Sequence, residues 1–261
     1  MTWVSLALLA FGVADLVRAR HGRMPLSLPP LAGVLTLVVL SIVADVNGPA
    51  DLAALAVTAV ALTGWVVTSA QTQATGRRAG VPLAVIAVLL GGLVVFSGFA
   101  STPGGALADW LSWADLPWGG TAPTAERALL LAALVLLNIA TGNVVVRLVL
   151  LAIGALRPDH VAAVRAASGD PQPADRLKGG RLLGPMERLV ILGLGLAGEY
   201  GAASIVIAAK GLLRFPEIQA AARTSPPPTS SRVGIDDVTE YFLVGSFVSW
   251  LVALGSLALA R

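Results

Sequence analysis

Residues 178–215 read KGGRLLGPMERLVILGLGLAGEYGAASIVIAAKGLLRF, a run apolar enough to lie in a bilayer that nevertheless carries Glu187, Arg188, Glu199, Lys210 and Arg214. An ionisable group at membrane depth is costly, and as a rule it is paired, sits at an interface or has a function. Taken as one helix, the run would carry Lys210, Arg214, Arg223 and Arg232 to the outer side, against the tendency of Lys and Arg to remain cytoplasmic. The tetrapeptide Gly198-Glu199-Tyr200-Gly201 offers another geometry, because two glycines around a charged residue disfavour a helix interior and favour a turn. The expectation is two helices, over 182–197 and 202–215, that enter and leave on the cytoplasmic side. At about 15 residues each they are short for a full crossing, so the pair reads as a re-entrant or short helical hairpin whose tip is shielded from lipid by protein.

A hairpin has a chemical consequence. Glu187 and Arg188 on one arm, and Lys210, Arg214 and Glu217 on the other, would gather near the inner interface, and Glu240 would enter at the same face from the last helix. One reading makes this cluster a set of structural ion pairs and headgroup anchors, with long side chains snorkelling to the interface. The other makes it a docking site for an anionic headgroup or a protein partner. Glu199 would stand alone at the tip, solvated at an interface or paired if buried.

The composition of the remaining chain fits a membrane scaffold. Of 261 residues, 56% are hydrophobic and 13% charged, with a mean hydropathy of +0.81. Soluble domains carry about 25% charged residues, so lipid must solvate much of this surface. The net charge of +3 reads as topological; the basic residues are scattered through short loops without an aromatic stacking platform, and no nucleic-acid partner is expected. There are no cysteines, which excludes disulfides, thiolate catalysis and Cys-based metal sites. An Arg-for-Lys bias with abundant Ala, Gly and Val suggests a high-GC bacterial genome. The first apolar run lacks a preceding basic segment and does not read as a removable signal peptide.

Taken in order, apolar runs at 3–17, 31–44, 52–70 and 82–100 read as four helices, the first interrupted by Asp15, which would sit near the interface beside Arg18 and Arg20. The loop 101–124 carries Trp110, Trp113 and Trp118, and Trp110 and Trp113 share a face with Leu107. It reads as a short amphipathic helix at the membrane surface. A fifth helix, capped by Thr124, extends toward Leu156. Asn138, Thr141 and Asn143 give it one polar side, for interhelical hydrogen bonds or, alternatively, contact with a solute. Residues 159–167 could form a short amphipathic helix, with disorder over 169–174, and 225–231 is a Pro-rich linker. In the last helix, Gly245, Ser249 and Ala253 make a small-residue stripe for close packing. Twelve Lys and Arg fall in the inner segments 18–25, 71–80 and 147–188, against one in the outer segments 45–51 and 101–127; the N-terminus is therefore expected outside.

Motifs for chemistry are sparse. Gly193, Gly195 and Gly198 match G-x-G-x-x-G, but no strand–helix alternation surrounds them. His21 and His160 have no metal-ligand spacing. Neither a P-loop nor a nucleophile elbow is present. No cofactor or metal is expected, and no catalytic residue can be named.

The segments GGRLLGPMERL at 179–189, AGEY at 197–200, AAKGLLRF at 208–215 and EYFLVGSFVS at 240–249 resemble an uncharacterised bacterial inner-membrane family, a domain-of-unknown-function family with G-R-x-x-G-x-x-E-R, A-A-K-x-x-x-R-F and E-Y-x-L-x-G motifs. The resemblance covers about residues 178–260. It departs at Pro185, at Gly211 where Ser is usual, and in a longer Pro-rich insert after Glu217. It implies a membrane module and no particular activity.

The expectation is thus an all-α, polytopic helical membrane protein with about six full transmembrane helices plus the hairpin, multi-pass in a bacterial plasma (inner) membrane. Its parts would be an N-terminal membrane bundle over 1–156, a cytoplasmic loop over 157–180 and a membrane module over 181–261. Its partners would be membrane lipids and a membrane or cytoplasmic protein. The leading function is a non-enzymatic membrane module that docks a partner or a headgroup. The alternative is a small-solute or ion transporter using Asn138, Asn143 and Glu199, and an intramembrane enzyme is the distant third.

Overall fold

The computed structural model describes residues 1–20, 25–114, 123–158, 180–223 and 235–260, leaving aside the side chains of 20, 180–182, 213–223 and 235–239. The segments 159–167, 169–174 and 225–231, together with Asp115, Trp118 and His160, lie outside the described residues. Regular structure within them is helical: α1 (Thr2–Arg20), α2 (Leu28–Val43), α3 (Pro49–Thr75), α4 (Gly80–Val95), α5 (Gly105–Trp113), α6 (Ala125–Leu136), α7 (Gly142–Ala152), α8 (Gly180–Leu196), α9 (Tyr200–Arg223) and α10 (Ile235–Leu259). A 3₁₀ turn (Ser97–Phe99) follows α4, and a π-turn (Leu137–Thr141) joins α6 to α7.

Four stretches among these are long and apolar enough to cross a membrane: Thr2–Ala19, Pro49–Thr75, Ala125–Ala152 and Glu240–Leu259. The expected six full crossings are not met by this measure. α2 and α4 have 16 residues each, about 24 Å at 1.5 Å per residue against a hydrocarbon core of about 30 Å. α2 begins at Leu28 with Pro29 and Pro30 in its first turn and ends where Asp45 takes a φ of +54°. α4 gives way to the 3₁₀ turn. Four long apolar helices are compatible with a membrane-embedded chain.

The chain divides into two compact units, made in the main of Met1–Ser69 with Val81–Thr141, and of Ala70–Gly80 with Gly142–Leu259. The first is built around α1. Its window is 72% buried, against 28% for α3, because Val4, Leu6, Ala7, Leu8, Ala10, Phe11 and Ala14 are all at most 1% exposed. A helix that is apolar nearly all round belongs at the centre of a bundle. α2, α6 and the π-turn pack on it. The approach to α2 is close at Gly33, where a Cβ would come within 2.8 Å of the Ala10 carbonyl oxygen. From α3 comes a stripe of buried residues, Thr58, Leu62, Trp65, Val66 and Ser69, at the three- and four-residue spacing of one helix face. α5 buries Leu111 and leaves Trp110 and Trp113 exposed. Thr124 caps α6, its hydroxyl accepting from the Arg127 N–H at 3.3 Å.

In the second unit, α10 packs on α7, α8 and α9. The break between α8 and α9 is a Schellman ending: Gly198 has a φ of +82°, the Glu199 N–H donates to the Leu194 carbonyl at 2.8 Å, and the Gly198 N–H donates to that of Gly195 at 3.2 Å. Glycine takes that left-handed position without the Cβ penalty. Glu199 then caps α9, its carbonyl accepting from the Ala203 N–H at 3.1 Å. The first arm starts and stops within two residues of the expected 182–197, whereas the second begins two residues early and runs on to Arg223, eight residues beyond the expected 215. Of the small-residue stripe on α10, Ser249 and Ala253 are buried, and a Cβ on Gly245 would rest 3.5 Å from Leu150 of α7.

Candidate functional site

The charged residues of the hairpin form two neighbouring centres. The Lys210 ammonium of α9 pairs with the Glu187 carboxylate of α8; these side chains are 13% and 12% exposed. The Lys210 nitrogen also lies 5.9 Å from the centre of the Phe242 ring on α10, within cation–π range. One side chain therefore ties both arms to the last helix. Next to Glu187 in sequence, Arg188 is turned inward and only 1% exposed. Its Nη1 donates to the Ser249 hydroxyl of α10 at 3.0 Å, and its Nη2 donates to the Asn143 Oδ1 of α7 at 2.6 Å. A planar guanidinium spreads its donors in a fixed fork that serves two acceptors on two helices at once, whereas an ammonium carries its three donors on a single atom.

The remaining sequence candidates fall elsewhere. Glu240 is exposed, and among the described side chains Lys210 takes Glu187 as its carboxylate. Arg214 and Glu217 lie on α9, with side chains outside those described. Glu199 occupies the exposed turn of the hairpin. Asn138 is fully buried in the first unit and donates from Nδ2 to the Leu134 carbonyl of its own helix at 2.8 Å. The single polar side expected for the fifth helix is thus divided: Asn138 and Thr141 belong to the first unit and Asn143 to the second. The π-turn between them has a different period from an α-helix, so spacing counted at 3.6 residues does not carry across it.

A second centre lies in the first unit and was not singled out from the sequence. Asp15 lies five residues before the end of α1 and is 2% exposed, buried in protein beside Arg18. Arg18 donates from Nη2 to Oδ1 at 2.8 Å, and the Trp65 indole N–H is shared between Oδ1 and Oδ2 at 3.2 Å each. Arg18 also donates from Nη1 to the Ser69 hydroxyl at 2.7 Å. The fully buried Thr141 hydroxyl of the π-turn faces the carboxyl without closing a hydrogen bond of standard geometry. Two signals were available: the i,i+3 spacing of Asp15 and Arg18, which lets the side chains meet, and Trp65 in mid-helix, whose N–H needs a partner when buried.

Near the start of α3, Asp51 organises a third set. It accepts from the Trp3 indole at 2.6 Å, the Ser101 N–H at 3.1 Å, the Ser101 hydroxyl at 2.6 Å and the Gly48 N–H at 2.9 Å. Four donors on one buried carboxylate make a structural clasp.

Concave surface of another kind occurs between α3 and α4, a groove of about 480 Å³ lined by Val57, Ala61, Val81, Ala84, Val85, Val88 and Leu89. Such a lining suits hydrocarbon and offers a polar solute nothing to bond. Among the described residues, no group of three or more His, Asp or Glu is placed to hold a metal ion. The chain matches no protein-family model, no curated protein and no solved structure.

Proposed function

We propose that this chain is an integral membrane protein, a non-enzymatic module whose α8–α9 hairpin docks anionic lipid headgroups at the end where the chain enters and leaves it. The observation that carries this reading is the Lys210–Glu187 pair, which joins the two arms at that end. Beyond it α9 continues with Arg214 and Arg223, and α8 has Arg181 at its start. The outward faces of the arms are apolar, with Met186, Ile205 and Leu212 well exposed, as lipid contact requires. Arg188 has no part in docking, since its guanidinium is spent inside the bundle. In this reading the bilayer is a bacterial plasma membrane and the hairpin opens toward the cytoplasm. Native mass spectrometry of purified protein tests it. Wild type should retain anionic phospholipid that a Lys210→Ala/Arg214→Ala variant of equal thermal stability releases; equal retention by both would remove the proposal.

A second reading, transport of a small solute or ion, is favoured by one observation, the carboxylate of Asp15 buried beside a π-turn. Intramembrane ionisable residues and π-turns both concentrate at functional sites. Reconstituted vesicles that move no solute across a broad panel would exclude it.

A further inference from the structure

We propose that the Asp15 carboxyl is a reversible proton-binding site, with Arg18 as the cation released when the proton binds. The inference rests on the membrane reading above but on neither of the two functions. The two carboxylate oxygens are unequally held: Oδ1 accepts from Arg18 and Trp65, whereas Oδ2 accepts only the shared indole N–H at 3.2 Å. The Thr141 hydroxyl, itself fully buried, faces the same carboxyl and closes no standard hydrogen bond. Oδ2, the less bonded oxygen, is the one free to take a proton, and the Thr141 hydroxyl facing the carboxyl can donate to the ionised form or accept from the protonated one. A metal cation does not fit. The groups already on the carboxylate are N–H donors, which repel a cation, and a guanidinium lies 2.8 Å away.

The charge balance gives the site its consequence. The step is the binding of one proton to the carboxylate, with no other bond made or broken. It leaves the Arg18 charge without a counter-charge. Among the described residues, Arg18 is the charged group that faces Asp15; α2 carries none, α3 contributes Trp65 and Ser69, and α6 has its charges, Glu126 and Arg127, in its first turn. Arg18 is near the end of α1 and its side chain is 20% exposed, so the guanidinium can turn to water along its own stem. Proton binding at Asp15 and outward movement of Arg18 are then one event, and Trp65, bonded to the carboxylate, reports it.

The test is a pH titration of tryptophan fluorescence on the purified full chain in nanodiscs. Wild type should show a reversible transition on acidification that Asp15→Asn lacks. Arg18→Gln, which removes the positive charge but keeps a group for Ser69, should move the midpoint to higher pH by about one unit or more. Replacing potassium by sodium at constant ionic strength should leave the midpoint in place. No transition in wild type, the same transition in Asp15→Asn, an unmoved midpoint in Arg18→Gln, or a sodium-dependent midpoint would each overturn the proposal. Should Asp15→Asn fail to fold, the Arg18→Gln shift decides. Headgroup retention is read separately, so failure here leaves the docking proposal standing.

Discussion

Trp65 of α3 donates its indole N–H to both carboxylate oxygens of Asp15 in α1, and the same two helices repeat the pairing with the roles exchanged, Trp3 of α1 donating to Asp51 of α3. The rungs occur in the same order along both helices, so α1 and α3 run parallel. They are spaced by about 18 Å on α1 and about 21 Å on α3 at 1.5 Å per residue. Parallel neighbours one helix apart are what alternating crossings of α1, α2 and α3 would produce.

The rungs should contribute unequally. Removing one indole donor, in Trp3→Phe or Trp65→Phe, should cost about 1 kcal/mol, the scale of side-chain hydrogen bonds in membrane proteins. Asp51→Ala should cost about 3 kcal/mol, because it strands the donors of Trp3, Ser101 and Gly48 together. Thermal unfolding in detergent ranks the three. The two Trp→Phe effects should add, since the rungs lie too far apart to share partners.

Close approach of α1 and α2 predicts a contrast between two glycines. An added Cβ at Gly33 would meet the Ala10 carbonyl oxygen at 2.8 Å, a backbone atom that cannot swing aside, whereas one at Gly91 of α4 would meet nothing within 4 Å. Gly33→Ala should therefore destabilise by about 2 kcal/mol. Gly91→Ala should be neutral or stabilising by up to about 1 kcal/mol, since alanine is the better helix former. Equal melting temperatures for the two variants would contradict the packing.

Much of this fold could be read in the chain itself, for a local reason. The hairpin break is written in Gly198 and its neighbours, because only glycine takes a φ of +82° cheaply. The Thr124 cap follows from a local signal in the same way. What escaped the sequence was pairing across long separations. Five charges were expected to gather at one end of the hairpin, and nothing in their spacing says that Glu187 takes Lys210 while its neighbour Arg188 turns inward to Asn143 and Ser249. The π-turn has no residue signature either, and it is what separates Thr141 from Asn143. Asp15 was placed at an interface because a lone carboxylate in an apolar run is costly. Its cost is offset by Arg18 and by Trp65, fifty positions away in sequence.

Arg188 should resist conservative replacement. Lysine keeps the buried charge but is shorter and carries its donors on one atom instead of a fork, so Arg188→Lys should cost about 3 kcal/mol, the scale of breaking a buried charge from its partners. Ser249→Ala, which removes one neutral acceptor, should cost about 1 kcal/mol. If lysine is tolerated as well as arginine, the two-acceptor geometry is not what holds the residue.

The Glu187–Lys210 pair yields the prediction on which the membrane topology turns. A pair that joins the arms where the chain enters and leaves the hairpin puts the segment before α8 and the segment after α9 on one side of the bilayer. α8 has 17 residues and the apolar part of α9 is Tyr200–Leu212, each short for a full crossing. Reporters inserted at 169–174 and at 225–231 should therefore read the same compartment, and the excess of Lys and Arg in 147–188 predicts a cytoplasmic reading. A charge-reversed Glu187→Lys/Lys210→Glu variant should preserve the reading, while Glu187→Lys alone, with two cations facing each other, should weaken the hairpin and lower expression. Opposite readings from the two reporters would mean that the 180–223 segment crosses the bilayer, and the docking proposal would lose the common inner face it requires.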